Sequence, residues 1–106
     1  MNYFPRNMSK KDKEILRVEH QKGVIKNSVN WFSHLMTNEL MKHLDRPGWK
    51  HEPIPYLIRR LSEELAELSK AIWEEQSKEE VEKEAADVGN IAMMIADAYR
   101  QKNRVA

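Results

Sequence analysis

The sequence predicts an all-α domain of four helices joined by short links and arranged like a four-helix bundle. Two observations carry this prediction: three glycines and four prolines are the only breakers in 106 residues, and apolar residues recur at steps of three and four. A chain of this length holds one hydrophobic core, so residues 1–106 are expected to form a single domain. A domain this small buries only about two thirds of its unfolded surface, so we also expect oligomerisation to complete the core.

The first two predicted helices lie in the N-terminal half of the chain. Residues 1–8 show no periodicity and are expected to form a loose arm. Ser9 with Asp12 three residues later is typical of a helix start, and Gly23 predicts a stop or a bend. The second helix ends before Pro47, because proline disfavours the helical conformation in the residue that precedes it. Its apolar positions are Ile25, Val29, Phe32, Met36 and Leu40.

The third and fourth predicted helices lie in the C-terminal half. Residues 49–53 form an irregular link, and Pro55 fits the first turn of the third helix, where its missing N–H costs nothing. Ser77 followed by Glu80 is a capping box, so the fourth helix should begin at about residue 78. It carries apolar residues as far as Ile95 and then fades into a polar tail.

Composition excludes several classes of site. The chain has no cysteine, which excludes disulfides, thiolate metal sites and cysteine nucleophiles. Its three glycines are far apart, so it has no glycine-rich phosphate loop. No apolar run approaches the ~18 residues of a membrane span, and the first ten residues lack the apolar core of a signal peptide. We therefore expect a cytoplasmic protein without membrane partners.

Charge is divided unevenly along the chain. Residues 1–50 hold ten Lys or Arg against five Asp or Glu, whereas residues 51–106 hold eight against twelve. This asymmetry indicates either an interaction tail in the basic half or a cation site in the acidic half. A nucleic-acid surface is less favoured, because acidic residues interrupt the lysines of the basic half.

Several acidic residues lie where a helix buries its apolar face. On the fourth helix, Glu84 falls inside the apolar arc and Asp87 just beyond its edge. On the third helix, Glu64 lies at the margin of the leucine stripe and Glu67 one step further out. A buried, unpaired carboxylate costs several kcal/mol, so these residues need cations.

The spacing of these acids points to a divalent metal. Glu64 and Glu67 are three residues apart, as are Glu84 and Asp87, so each pair lies on one helix face. Two antiparallel helices would bring the four carboxylates together, and all-oxygen ligation favours magnesium, manganese or calcium. The ordinary alternative is a solvated acidic face with lysine partners. A di-iron bundle is less favoured, because the chain has no Glu-x-x-His step.

Two segments resemble the motifs of a known enzyme family. Residues 63–67 read Glu-Glu-Leu-Ala-Glu and residues 84–87 read Glu-Ala-Ala-Asp. They resemble the E-E-x-x-E and E-x-x-D motifs of the MazG-like, all-α nucleoside triphosphate pyrophosphohydrolases, in particular the small phage and bacterial members. The resemblance covers residues 41–99, and the Gly48-Trp49 pair upstream also fits it.

The resemblance implies hydrolysis of a nucleoside triphosphate to the monophosphate and pyrophosphate. It implies that Glu64, Glu67, Glu84 and Asp87 bind Mg²⁺, with Mn²⁺ as a substitute. Glu63, Glu64 and Glu67 are the implied catalytic residues, of which Glu63 acts on a water or beside the metal ligands. Members of the family are built as homodimers or homotetramers. The alternative is a non-catalytic helical interaction or regulatory module that keeps the metal-binding fold.

Five further residues are candidates for substrate contacts. Asn90 would contact the sugar or a metal-bound water, or else form a helix–helix hydrogen bond. Trp49 and His51 precede the third helix and would stack on or hydrogen-bond a base, or else cap the core. Lys42 would reach a phosphate, although an exposed helix lysine is the simpler interpretation. Of Arg59 and Arg60, one turn before the acidic motif, one would meet phosphate, for which we take Arg60, and the other would lie on the surface.

Overall fold

The computed structural model describes residues 7–102, which form three helices and contain no strand. Helix α1 spans Lys10–Met41, α2 spans Ile54–Trp73 and α3 spans Lys78–Lys102. The chain divides into two compact units, the first ending at Phe32 and the second beginning at Ser33. The all-α fold class is therefore confirmed for this part of the chain, with three helices in place of the predicted four. Within it, no helix is both long and apolar enough to cross a membrane.

The first unit contains the N-terminal part of α1. The predicted cap is present, because the Asp12 N–H donates a hydrogen bond to Ser9 Oγ at 3.1 Å. Of the stop or bend predicted at Gly23, the stop is wrong, since α1 continues through this residue. A glycine inside a helix costs only about 1 kcal/mol relative to alanine, which the surrounding helix formers offset. Of the predicted N-terminal arm, residues 1–6 lie outside the described part of the chain.

The second unit is built around α2 and α3, which pack against each other. Its most deeply buried apolar residues are Leu57 and Ala71 on α2 and Ala86 and Ile91 on α3. Pro55 lies in the first turn of α2, as predicted. This packing sets one face of α2 against one face of α3, and acidic residues occupy part of the same contact.

A tight turn of four residues joins α2 to α3. The Gln76 N–H donates to Ala71 O at 3.0 Å and the Glu75 N–H donates to Ile72 O at 3.1 Å. This double closure requires a left-handed conformation at the residue that donates the inner bond, which is Glu75 with φ of 51°. The predicted cap of the next helix follows, because the Glu80 N–H donates to Ser77 Oγ at 3.1 Å.

Exposed apolar residues form a line on each of two helices. On α2, Ile58, Leu65 and Ile72 recur every seven residues and form an exposed line that we call the α2 stripe. On α1, exposed residues at steps of three, four and seven form the α1 stripe, which consists of Ile15, Val18, Ile25 and Val29. Large apolar residues arranged along one helix face are usually covered by another protein surface.

Candidate functional site

Three of the predicted acidic residues meet between α2 and α3. Glu64 from α2 and Glu84 and Asp87 from α3 each place a carboxylate oxygen within 4.8 Å of the other two. All three are half-buried. They meet because the packed faces of the two helices carry them at facing positions. We call these three residues the acidic cluster.

Burial and mutual repulsion make the cluster electrostatically unfavourable. Burial raises the pKa of Glu84 above its ordinary value, and the nearby charges of Asp87 and Glu64 raise it further. Lys83 acts in the opposite direction, with Nζ 3.5 Å from Glu84 Oε1 and 3.4 Å from Asp87 Oδ2. The carboxylates are therefore crowded enough for a cation to gain from joining them.

Two basic side chains partly compensate the cluster. Besides Lys83, Arg60 places Nη2 3.4 Å from Glu64 Oε1. Burial opposes the charged form of Lys83, but Asp87 and Glu84 outweigh it, so the pKa of Lys83 is raised. The lysine side chain is 40% exposed, so it can move into solvent and leave the carboxylates to another cation.

The donor set of the cluster suits a hard divalent cation. Each of the three residues offers carboxylate oxygens, and none offers nitrogen or sulfur. Oxygen-only ligation is typical of Mg²⁺, Mn²⁺ and Ca²⁺ sites. Mg²⁺ in particular is commonly held by a few carboxylates, with waters and substrate phosphates completing its coordination.

Two of the predicted catalytic residues lie outside the cluster. Glu67 is exposed and is not among the acids that come together in residues 7–102. Glu63 is also exposed, and its Oε1 lies 3.9 Å from Arg59 Nε. Each turn of α2 directs only some of its positions toward α3, and these two glutamates fall on the solvent side.

The acidic cluster opens onto a cleft of about 480 Å³ in the second unit. The end of α1, the link that follows it, and facing positions of α2 and α3 form its walls. Glu64 and Asp87 belong to both the cluster and the cleft wall. A molecule in the cleft would therefore lie beside any ion that the cluster holds.

Three of the five predicted substrate-contact residues line this cleft, namely Trp49, Arg60 and Asn90. The other two do not. His51 is exposed and lies outside the cleft lining. Lys42 instead pairs with Glu39, with Nζ 2.7 Å from Oε1.

Asn90 forms the helix–helix hydrogen bond that was the alternative to a ligand contact. Its Nδ2 donates to the carbonyl oxygen of Met36 at 3.0 Å, which ties α3 to the end of α1. Its Oδ1 is buried and receives no hydrogen bond from the described residues. Asn90 thus has a structural role through Nδ2, while its Oδ1 has no hydrogen-bond partner among residues 7–102.

Sequence reasoning missed two buried acids, Glu39 and Asp97. Asp97 accepts a hydrogen bond from Trp49 Nε1 at 3.0 Å and also pairs with Arg100. Glu39 stands three residues after Met36, on a face that apolar residues dominate. The signal that identified Glu84, an acid on the apolar face of a helix, was present for both residues.

Comparisons with protein family models, curated proteins and solved structures find no match to this chain. The arrangement of its own residues therefore carries the functional argument. That arrangement is a carboxylate cluster, suited to a divalent cation, on the wall of a cleft that also contains an aromatic ring, an amide and a guanidinium group.

Proposed function

We propose that this protein is a Mg²⁺-dependent nucleoside triphosphate pyrophosphohydrolase that releases the nucleoside monophosphate and pyrophosphate. One observation carries the proposal: three carboxylates from two helices converge within 4.8 Å on the wall of a cleft. The cleft volume of about 480 Å³ falls within the range of ~300–1,000 Å³ that is typical of small-molecule sites.

In this proposal the acidic cluster holds the ion beside the phosphate chain. Bound Mg²⁺ would supply charge neutralisation for the phosphate oxygens and Lewis acidity toward the scissile bond, and Mn²⁺ would serve as a substitute. Glu64, Glu84 and Asp87 are the proposed ligands. Glu67, one turn after Glu64 on α2, is the proposed fourth, on the evidence of the motif alone.

Other residues would bind and orient the substrate. Arg60 pairs with Glu64 in the cleft wall, where its guanidinium group is available to a phosphate. Trp49 offers a ring face on which a base can stack. Glu63 is proposed, on the evidence of the motif alone, to accept a proton from the attacking water or to orient it.

A second candidate function is a non-catalytic helical module. Lys83 and Arg60 lie 3.4–3.5 Å from the carboxylates of the cluster, so the chain already supplies two of the cations that the cluster needs. In that case the cluster is a structural ion-pair network, and the exposed helix faces carry the function by binding another protein.

We further propose that the protein acts as a homodimer or homotetramer. The α1 and α2 stripes expose large apolar residues at helical spacing, and a second copy of the chain would cover them. The α2 stripe adjoins the face of α2 that carries Glu64. Self-association through this stripe would thereby fix the helix that supplies one of the proposed metal ligands.

Release of pyrophosphate tests the proposed function directly. The protein is incubated with Mg²⁺ and a panel of ordinary and oxidised ribo- and deoxyribonucleoside triphosphates, and monophosphate and pyrophosphate are measured. We expect both products with at least one substrate, and a loss of roughly 100-fold in rate for Glu84→Gln.

Glu79→Gln is the matched control, because Glu79 is an exposed acid in the first turn of the same helix. This variant should retain the wild-type rate. Failure to release pyrophosphate from any triphosphate would contradict the proposal. Unchanged melting with added metal, together with that failure, would favour the helical module.

A further inference from the structure

Two buried oxygens in the wall of the cleft have no hydrogen-bond donor among the described residues. They are Oε2 of Glu39 and Oδ1 of Asn90. The two residues are 8% and 3% exposed, and both line the cleft. A buried acceptor without a partner costs about 1–3 kcal/mol, so two of them beside one cleft indicate a function.

Two donors of the same side chains or their neighbours are bonded to other atoms. Asn90 Nδ2 donates to Met36 O at 3.0 Å, and Lys42 Nζ donates to the other oxygen of Glu39 at 2.7 Å. Met36 and Glu39 are one turn apart on α1, so the Asn90 amide lies against the same turn that carries Glu39. Two acceptors, one of them on a carboxylate, therefore belong to a single region of the cleft wall.

We propose that this wall selects a base that presents two adjacent nitrogen donors, the pattern of a guanine edge with its ring N–H and amino group. The inference rests on the proposed function and names the substrate class of the same cleft. Guanine supplies hydrogens to both oxygens, with the carboxylate of Glu39 accepting the stronger, charge-assisted bonds.

Other bases fit this wall less well. Adenine and cytosine each present one amino group beside a ring nitrogen that accepts, and this nitrogen would face an acceptor of the protein. Uracil and thymine present a carbonyl on each side of their ring N–H. Each of these edges leaves at least one acceptor of the pair unsatisfied or repelled, which is a strong source of discrimination.

The cleft also provides what the rest of such a nucleotide needs. Trp49 and Tyr56 line it and offer ring faces for stacking. Arg60, Glu64 and Asp87 also line the cleft, and in this proposal they hold the phosphates and their cation. The acceptor pair would thus read the base, while separate residues bind the phosphate chain.

The test compares guanosine monophosphate with inosine monophosphate, which differs only by lacking the amino group. Their dissociation constants are measured by isothermal titration calorimetry on the full chain, with and without Mg²⁺. Because the two ligands share the same sugar and phosphate, the ratio of their dissociation constants reports the contribution of the amino group on the base. We expect guanosine monophosphate to bind at least about tenfold more tightly.

Glu39→Gln replaces one acceptor with a donor of nearly the same shape and should reduce this preference to about unity. Glu52→Gln is the control, since Glu52 also lines the cleft but is exposed, and it should keep the preference. A melting curve of each variant verifies folding. The ratio of the two dissociation constants for the wild-type protein tests the inference even if a variant does not fold.

Equal binding of the two monophosphates by the wild-type protein would overturn the inference and indicate that solvent satisfies the two oxygens. Pyrophosphate release with equal binding would leave the proposed function standing. A guanine preference without pyrophosphate release would overturn the proposed function alone. An unchanged preference in Glu39→Gln would also overturn the role given to Glu39.

Discussion

The indole Nε1 of Trp49 donates a hydrogen bond to Oδ2 of Asp97 at 3.0 Å, across 48 positions of sequence. This bond ties the link before α2 to the second half of α3. Arg100 pairs with the other oxygen of the same carboxylate. Because Trp49 also lines the cleft, Asp97 holds in place the aromatic ring that we propose as a stacking surface.

Trp49→Phe keeps an aromatic ring and removes the donor. We expect a lower melting temperature, because Asp97 then remains buried with one hydrogen bond fewer. We also expect a weaker affinity for nucleotides, since the ring is no longer fixed in the cleft wall. Thermal melting and calorimetric titration measure the two effects. Trp73→Phe is the control, because Trp73 is 85% exposed, and equal effects of the two substitutions would contradict this role of Trp49.

Stability should depend on pH through Asp97. The hydrogen bonds from Trp49 and Arg100 hold the pKa of this carboxyl group below its ordinary value of 3.8. A carboxyl group whose pKa is lower in the folded state stabilises the protein at pH values above the pKa of the unfolded state. This stabilisation is lost as the pH falls through the pKa of the folded state. The stability advantage of wild type over Asp97→Asn should therefore shrink as pH falls below about 4.

Urea unfolding of both proteins between about pH 7 and pH 3 measures this difference. Asp45→Asn provides the comparison with an exposed aspartate. A difference between wild type and Asp97→Asn that stays constant over the whole range would show that the charge of Asp97 does not matter.

Local signals allowed the starts of two helices, α1 and α3, to be predicted from the sequence. Ser9 and Ser77 each cap a helix, because the Oγ atom accepts a hydrogen bond from the backbone N–H three residues later. Such bonds depend only on neighbouring residues, so the pattern is sufficient. The stop predicted at Gly23 is wrong, because a glycine in a long helix weakens the helix without ending it.

The site was predicted in part, for a physical reason. Helical spacing identifies which acids share a face, and it correctly predicted that Glu64 lies close to Glu84 and Asp87. The relative rotation of two packed helices depends on side-chain volumes across the whole contact, which spacing does not contain. Glu67 was therefore expected in the cluster, whereas it is exposed. The pairing of Trp49 with Asp97 joins distant segments, and no local pattern encodes it.

Glu75→Gly should stabilise the turn between α2 and α3. Glu75 adopts the left-handed conformation, with φ of 51°. This conformation costs a non-glycine residue about 1–2 kcal/mol, and glycine removes that cost. The unfolded chain also gains conformational entropy with glycine, which offsets part of the stabilisation. We expect a net increase of about 0.5–1 kcal/mol in the free energy of unfolding. Glu74→Gly, at φ of −87°, should give no such increase, and equal effects at both positions would contradict the argument.

Leu65→Glu should weaken self-association. Leu65 is the central residue of the α2 stripe and is 52% exposed, so a charge there costs little in an isolated chain. If a second copy covers the stripe, the charge becomes buried and association weakens by about tenfold or more. Sedimentation equilibrium measures the change. Ala66→Glu, an exposed position turned away from the stripe, should leave association unchanged.

Lys83→Gln separates a metal site from a structural ion-pair network. Lys83 lies 3.5 Å from Glu84 and 3.4 Å from Asp87, where it compensates charges that a bound ion would also compensate. Without added metal, the variant should melt at a lower temperature, because the acidic cluster has lost a cation. With added Mg²⁺ or Mn²⁺, it should show a larger rise in melting temperature than the wild type, since the lysine no longer competes with the ion.

Lys78→Gln, which removes a pair with Glu82 at 2.8 Å in the first turn of the same helix, should leave the metal response as in the wild type. A stability deficit of Lys83→Gln that is the same at every metal concentration would mean that the carboxylates bind the lysine and no ion.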